Sequence, residues 1–437
     1  MNLDKEKEAR GRKLFLLEGI LSPFSLRTFM GNLMTAFALA LGSNEQQIGI
    51  LTSARRFAGF TQLLTNHFLM RTGSRRRFSQ YIFGASSTVR VIIALLPSIP
   101  LIFVSQNAIW CLIFLIFIIG STDSIGLVLK NTWMSEITPR GIRGRYFGLR
   151  RLLTGFSGML IGYLGGLYVD YCGGFQREMF GFQSLFLVGA LIGYSTLILL
   201  SIVPEVSSEP KKESLKEFLE GFRILFRDKP FVIWILFHGC YSFSTGFAGP
   251  FFTVYLLKEL QLSLATVALY TALGEIASIS LARLWGQLAD KYGNKRILVV
   301  CCVAKSIFPA LWIWATGIDN PGAIIWLGFV HCVRGFNSGQ QITILNMALW
   351  LSPQKYRATY LSSENSFTNI LSAISPFVGG LIIGLIGDWH KKVAILGWYH
   401  TLCPLHILFF ISAILRGTSS LILNWVKTDS RISRKSK

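Results

Sequence analysis

Arg27, Asp123, His238, Arg334 and Asn337 are polar or charged residues inside long apolar stretches. A charge near the centre of a bilayer costs about 2.5–3.5 kcal/mol on the insertion scale, so one that persists there points to function. A guanidinium grips a carboxylate or phosphate with two parallel hydrogen bonds. Arg27 and Arg334 are therefore candidate binders of an anionic or zwitterionic solute. Imidazole is the side chain that gains or loses a proton near neutrality, which makes His238 a candidate for proton coupling. Asp123 and Glu275 are the carboxylates that join it. Ser121, Thr122 and Ser124 surround Asp123, and Ser338, Gln340, Gln341, Thr343 and Asn346 surround Asn337. These polar stretches either line a cavity, with Asn337, Gln340 and Gln341 touching solute, or bond helix to helix at about 0.6 kcal/mol each. Two competing readings stay open. Carboxylates can consume the arginines, and Asp123 and Lys130, seven apart, can neutralise each other. The six His include no HExxH and the seven Cys no CxxC, so no catalytic residue, metal site or cofactor is expected.

The elements that must position these residues follow from composition. Only 15% of the 437 residues are charged and 51% are hydrophobic, with a mean hydropathy of +0.49. Soluble chains carry about 25% charged residues, so an ordinary soluble enzyme and a disordered chain are both disfavoured. The net charge of +21 comes from 43 Lys and Arg against 22 Asp and Glu. These cations sit in short runs between apolar stretches, the pattern of a bilayer protein rather than a nucleic-acid binder. A span needs about 20 apolar residues. Twelve are placed: 15–41, 46–69, 79–104, 108–134, 145–169, 181–203, 231–256, 262–287, 296–316, 321–350, 357–385 and 394–424.

Arg71, Arg75, Arg76 and Arg77, then Arg140, Arg143 and Arg145, then the run from Lys211 to Lys229, then Lys291, Lys295 and Arg296 all fall on one side. That bias places both termini in the cytoplasm. The lack of Asn-x-Ser/Thr sequons fits a bacterial inner membrane. The charged start, Met1 to Lys13, leads into no cleavable signal. Between Pro204 and Lys229, Leu215, Phe218, Leu219, Phe222, Leu225 and Phe226 keep helical spacing, Ser214 with Glu217 reads as a capping box, and Pro230 ends the run. The expected organisation is an N-terminal six-helix bundle over 1–203, an amphipathic cytoplasmic linker over 204–229 and a C-terminal six-helix bundle over 230–437.

The two halves repeat. Gly286-x-x-x-Asp290-x-x-Gly293-x-Lys295-Arg296 follows the eighth span, and Asn66-x-x-x-Met70-x-x-Gly73-x-Arg75-Arg76 follows the second. The offset, 66 to 286, is 220 residues, and it also sets Glu18-Gly19 against His238-Gly239. A second block matches at 214 residues: Pro139 with Pro353, Arg143 with Arg357, Tyr146 with Tyr360, Gly165-Gly166 with Gly379-Gly380. Six spans repeated in parallel make a 6+6 transporter with a midplane site between the halves.

In these residues the sequence resembles the major facilitator superfamily, through the Gly286–Arg296 loop motif, the span count, the long central loop and the repeat. The resemblance implies that Asp290 caps a neighbouring helix start and helps latch the closed cytoplasmic side, as an anion at a helix N-terminus is favourable. Met70, in the first copy, cannot. Arg334-Gly-Phe-Asn337 loosely resembles the family's fourth-span Arg motif. Ser375-Pro376-Phe-Val-Gly379-Gly380 resembles the end of an exporter motif, but span five carries Gly158, Gly162, Gly165 and Gly166 without a proline, which favours close packing.

The repeat also pairs Arg55 with Glu275 (offset 220) and Arg150 with Glu364 (offset 214), basic in the first half and acidic in the second. These pairs are expected either to close the outer and inner gates alternately or to bond locally within each half. The expected activity is alternating-access transport of a small anionic or zwitterionic solute, driven by an ion gradient, most simply of protons, by a monomer in the bilayer. No Walker A sequence suggests direct use of ATP. The alternative is a proton-antiporting exporter of drugs or metabolites with a broad apolar pocket.

Overall fold

The structure is a computed structural model, and it describes residues 5–99, 107–205, 223–315, 321–395 and 398–426. Most of the expected linker, including Ser214 to Phe222, lies outside the described residues, as does the tail from 427. The helices in chain order are α1 (Lys5–Thr28), α2 (Gly31–Ala40), α3 (Glu45–Phe57), α4 (Thr65–Thr72), α5 (Arg75–Leu95), α6 (Asn107–Ile137), α7 (Arg143–Gly174) and α8 (Glu178–Ile202). They continue with α9 (Lys229–Ala248), α10 (Leu264–Tyr292), α11 (Asn294–Ile307), α12 (Pro321–Cys332), α13 (Phe336–Leu351), α14 (Arg357–Ile386) and α15 (Pro404–Leu421).

Among the described residues nine helices are long and apolar enough to cross a membrane. The spans missing from that set are the first, second and tenth, and each is interrupted. Gly31, at φ +60°, separates α1 from α2. A 3-10 stretch, Ala58–Leu64, separates α3 from α4, and another, Val333–Gly335, separates α12 from α13. Irregular backbone at membrane depth survives only where protein or a water-lined cavity satisfies it, so interruptions mark places of interest. Arg27 lies in the last turn before the first break, and Arg334 lies inside the third.

Helix starts are written locally. Asn44 accepts the N–H of Gln47 at 2.8 Å while the Gln47 amide oxygen accepts the N–H of Asn44 at 3.0 Å, a capping box that opens α3. Asp228 caps α9. Pro230 lies in the first turn of α9, where its missing N–H costs nothing; it starts that helix as well as ending the run before it. Gly73 and Gly293, repeat mates, both turn through positive φ (+64° and +93°) just before α5 and α11. A Cβ at such a backbone costs about 1–2 kcal/mol. Gly73→Ala is therefore expected to lower the melting temperature, whereas Gly84→Ala, in mid-helix with only Leu197 at an ordinary 3.5 Å, should not.

The chain divides into two compact units, the first running to Lys211 and including Leu262–Ala268. That short stretch belongs to the first unit because the Asp170 carboxylate accepts the N–H groups of Leu264 and Ala265 at 2.9 and 2.8 Å. In the first unit α1 packs on α7 and α8, α5 on α6 and α8, and α3 on α6. In the second, α9 packs on α14 and α15, and α11 on α13 and α15. By span number, the contacts 1–5, 1–6, 3–4 and 3–6 recur as 7–11, 7–12, 9–10 and 9–12. The cores recur too. Trp133 and Phe15 are buried in one cluster of the first unit, and their repeat mates Met347 and Ile235 are buried in one cluster of the second.

The start of the twelfth span departs from expectation. Residues 394–395 and 398–402 are extended instead of helical: β1 (Lys391–Ile395) and β2 (Trp398–Leu402) pair antiparallel, with Lys391 opposite Leu402 and Ile395 opposite Trp398. Aromatic and β-branched residues such as Trp398, Tyr399 and Thr401 favour extended backbone despite their hydropathy. The helix begins only at Pro404, again a proline in a first turn.

Candidate functional site

The interior of the first unit holds Glu18 of α1, only 1% exposed. Its Oε1 accepts from Lys130 Nζ of α6 at 2.9 Å, and its Oε2 accepts from an Arg150 guanidinium nitrogen of α7 at 2.6 Å. Close approach of α1 and α7 depends on Gly19, where a Cβ would meet Arg150 and Thr154 at 3.2–3.3 Å. Both carboxylate oxygens are thus held by basic side chains.

The second unit repeats this constellation with its polarity reversed. His238 of α9 stands at the position of Glu18, and Glu364 of α14 at that of Arg150. Glu364 is buried, and its Oε1 lies 2.8 Å from His238 Nδ1 and accepts from the Trp234 indole N–H, also at 2.8 Å. Gly239, like its mate Gly19, admits the neighbouring helix; a Cβ there would lie 2.6 Å from Phe367. The difference is chemical. Glu18 faces a lysine and an arginine, whereas the side-chain partners of Glu364 among the described residues are an indole, which cannot ionise, and an imidazole, which can. Removing the indole takes away one of the two hydrogen bonds to the buried Oε1, a bond to a charged group worth about 1.5–3 kcal/mol. Trp234→Phe is expected to destabilise by that amount in a melting experiment.

Asp123 is the centre of a third group. Its Oδ1 accepts from Arg90 at 2.6 Å and from Ser86 at 3.1 Å, and its Oδ2 lies 3.4 Å from Arg55. Asp123 does not neutralise Lys130, which bonds Glu18 instead. Seven residues of helix separate them by about 10 Å along the axis, too far for direct contact. The span-two break reaches the same group, since the Thr61 hydroxyl donates to the Ser121 carbonyl at 3.1 Å.

The four residues that the repeat sets against each other as gates each have a bonded partner within their own unit. Arg55 bonds Asp123, Glu275 bonds Arg334 at 2.9 Å, Arg150 bonds Glu18 and Glu364 faces His238. Each finds its partner inside its own half, where the helix carrying that partner already packs. Arg334 and Glu275 remain partly exposed, and Gly274 leaves room for the arginine, since a Cβ there would lie 2.7 Å from Arg334 Cδ. Arg27 is exposed and crosses Gly158, where a Cβ would lie 3.0 Å from its Nε.

The polar stretches divide between the two readings. Gln340 is buried, and it turns to α11, where Lys305 Nζ donates to its Oε1. Thr343 and Ser338 are buried and donate to carbonyls of their own helix, and Asn346 donates to Asn294 at 2.9 Å. Gln341 is exposed and Asn337 half-buried. The loop motif is ordered as a turn. Gly293 provides the left-handed backbone, Lys295 Nζ donates to the Val426 carbonyl at 2.7 Å, and Asp290 is exposed; Gly286 lies in α10 and Arg296 in α11.

Sequence reasoning underrates Glu18, Lys130, Arg90 and Trp234. A signal for Glu18 exists, because its mate His238 stands out at an offset of 220. For Trp234, whose role comes from one indole N–H, none exists.

A profile of the Major Facilitator Superfamily matches residues 16–376. The chain is 24% identical over 237 residues to the multi-drug resistance efflux pump PmrA of Streptococcus pneumoniae, covering 53% of this chain and 57% of the pump. It is 23% identical over 306 residues to a hexose-6-phosphate:phosphate antiporter of Salmonella typhimurium, covering 65% and 64%. The alignments thus span less than two thirds of either relative. The fold is shared with the nucleoside transporter NupG, with a TM-score of 0.67, 14% identity and 95% and 98% of the two chains covered. A D-xylose-proton symporter gives a TM-score of 0.66 at 15% identity, covering 96% of each chain. With the helical fold and the repeated packing, these matches establish that the chain belongs to the Major Facilitator Superfamily.

Proposed function

We propose that the protein is a secondary active transporter that carries a small anionic or zwitterionic solute by alternating access, coupled to protons through His238 and Glu364. The observation that carries the coupling is the reversed pair. At one position of the repeat a carboxylate is locked between Lys130 and Arg150. At the equivalent position a carboxylate meets imidazole. The first is a fixed strut, and the second is a group whose charge can change during a cycle. Asp123, held by two guanidinium groups, belongs with the strut.

The solute class rests on Arg27 and Arg334. Both stand at interruptions of their spans, where helix ends and free carbonyls give a solute something to bind. Arg27 is exposed. Arg334 bonds a partly exposed Glu275, a carboxylate that an incoming solute carboxylate or phosphate can replace. Asn337 and Gln341 are the neutral contacts of this site, and Gln340 supports it from behind through Lys305. Arg27→Ala and Arg334→Ala are expected each to abolish the stabilisation that an anionic solute gives in a thermal-shift screen.

A second reading is export of drugs or metabolites in exchange for protons, favoured by the names of the efflux-pump relatives. Stabilisation by lipophilic cations alone would select it. In either case residues 1–203 and 230–437 act as the two rocking bundles, joined by 204–229. Both termini face the cytoplasm of a bacterial inner membrane, and the working unit is a monomer. Asp290 serves as the cytoplasmic latch. A gating role for Arg55, Glu275, Arg150 and Glu364 requires their local pairs to open during the cycle. Cysteine accessibility from the cytoplasmic side that is unchanged in Glu364→Gln would remove that role from Glu364. The direct test of the function is uptake into proteoliposomes under an imposed pH gradient.

A further inference from the structure

The eleventh span carries a polar stripe that neither the coupling pair nor the arginines account for. Ser362, Asn365, Ser366, Asn369 and Ser372 of α14 fall within about 120° of one helix face. The adjoining face is the packed one. There Glu364 and Thr368 are buried, and Phe367 and Leu371 lie against Gly239 of α9. On the stripe itself Asn365 is exposed and Asn369 half-buried.

Asn365 and Asn369 lie about 9 and 15 Å along the helix from Thr359, where a 28-residue membrane span begins. Both depths fall inside a hydrocarbon layer about 30 Å thick. Ser362 and Ser372 return their hydroxyls to carbonyls of their own helix at 3.0 and 3.1 Å, which lipid tolerates. The two amides have no such outlet: among the described residues neither side chain has a hydrogen-bond partner. An amide set against acyl chains without a partner is strongly disfavoured, so this face meets water rather than lipid.

A wet face alone does not call for asparagine, a poor residue for a helix interior because its amide competes for backbone hydrogen bonds. At the equivalent positions of α7, offset by 214, stand Arg151, which is exposed, and Gly155, where a Cβ would meet nothing within 4 Å. That face is open too, and it carries no amide.

We propose that Asn365 and Asn369 line the solute path of the C-terminal bundle and bind hydroxyl groups, so that the solute is polyhydroxylated. Residues four apart on a helix have Cβ atoms about 5–6 Å apart. Each amide donates and accepts at once, as a hydroxyl does. A pair at this spacing therefore suits neighbouring hydroxyls of a sugar-like or polyol skeleton and offers nothing to an alkyl chain. The inference rests on the reading of the chain as a transporter of a small solute, and it describes the uncharged part of that solute.

The test uses the full-length chain in proteoliposomes. Asn365→Cys, Asn369→Cys and, as the lipid-facing control, Ile370→Cys, at a position 39% exposed, are treated with a charged methanethiosulfonate. Mass spectrometry separates the new sites from the natural cysteines. The protectants are gluconate and inositol, each paired with a poorly hydroxylated counterpart, hexanoate and cyclohexanol. Positions 365 and 369 are expected to react at least tenfold faster than position 370. Gluconate or inositol should slow them at least threefold, and the counterparts should not. In the Asn365→Ala/Asn369→Ala double variant the rise in Tm given by the protecting polyol should fall by at least half. Reaction no faster than at position 370 would place the face in lipid and overturn the proposal. Labelling slowed equally by both sets of compounds, or by neither, would leave the face merely wet and overturn it as well. Protection by a polyol without uptake of any of the compounds under a pH gradient would support the site and remove the transporter reading; uptake without protection would do the reverse.

Discussion

Glu18→Ala is expected to cost the fold about 3–5 kcal/mol, the range found when one member of a buried ion pair is removed. The loss is not that of one favourable contact. The truncation leaves Lys130 and Arg150 side by side within the unit, with no carboxylate between them. It also removes one bond from α1 to α6 and one from α1 to α7, two of the ties that hold these three helices together. The measurement is thermostability of the detergent-solubilised chain by size-exclusion chromatography after heating. Glu6→Ala, at an exposed position of the same helix, is the matched control and should melt as the wild type does. A Glu18→Ala variant with wild-type melting would show that the cluster is not structural.

His238→Gln and Glu364→Gln are expected to separate the driving force from the movement of solute. Solute accumulation driven by a pH gradient should fall at least tenfold in either variant, while exchange of internal for external solute at equal pH continues. The reason lies in the surroundings of the pair. Glu364 is bonded by an indole and an imidazole, so moving one proton changes the charge of the pair as a whole. In a low-dielectric interior such a change alters the energy of packing α9 against α14 far more than it would in water. Replacing either member with an amide fixes the charge and removes the switch. Loss of exchange along with accumulation would mean instead that the pair supports the fold. Thermostability of the same variants distinguishes that outcome from failure of the solute site.

Much of the architecture is legible in the chain because it is written twice. The offsets of 220 and 214 identify Glu18 with His238 and Arg150 with Glu364, and the structure bonds each of those sets in the same geometry. What the repeat cannot reveal is direction. It sets Arg55 against Glu275 as charge opposites, yet both satisfy themselves with the nearest helix in their own half, because desolvated charges take the partner that packing already brings close. Periodicity likewise places Asp123 and Lys130 on one face without saying that about 10 Å of helix separates them. The start of the twelfth span is missed for another reason. Hydropathy counts Trp398 and Tyr399 as membrane residues, and only their preference for extended backbone marks the hairpin. Gln340 was one of several polar residues in a tract whose facing is set by a single neighbour, Lys305, which sequence spacing does not reveal.

The central claim is that one half of the repeat holds a carboxylate of fixed charge and the other a carboxylate that takes up and releases a proton. Infrared difference spectroscopy of the protein in lipid, stepped between acid and alkaline pH, observes the protonated carboxyl stretch directly. A band that appears on acidification, vanishes in Glu364→Gln and persists in Glu18→Gln is the predicted result. A band lost in Glu18→Gln and kept in Glu364→Gln, or no titrating carboxyl band at all, would contradict the account.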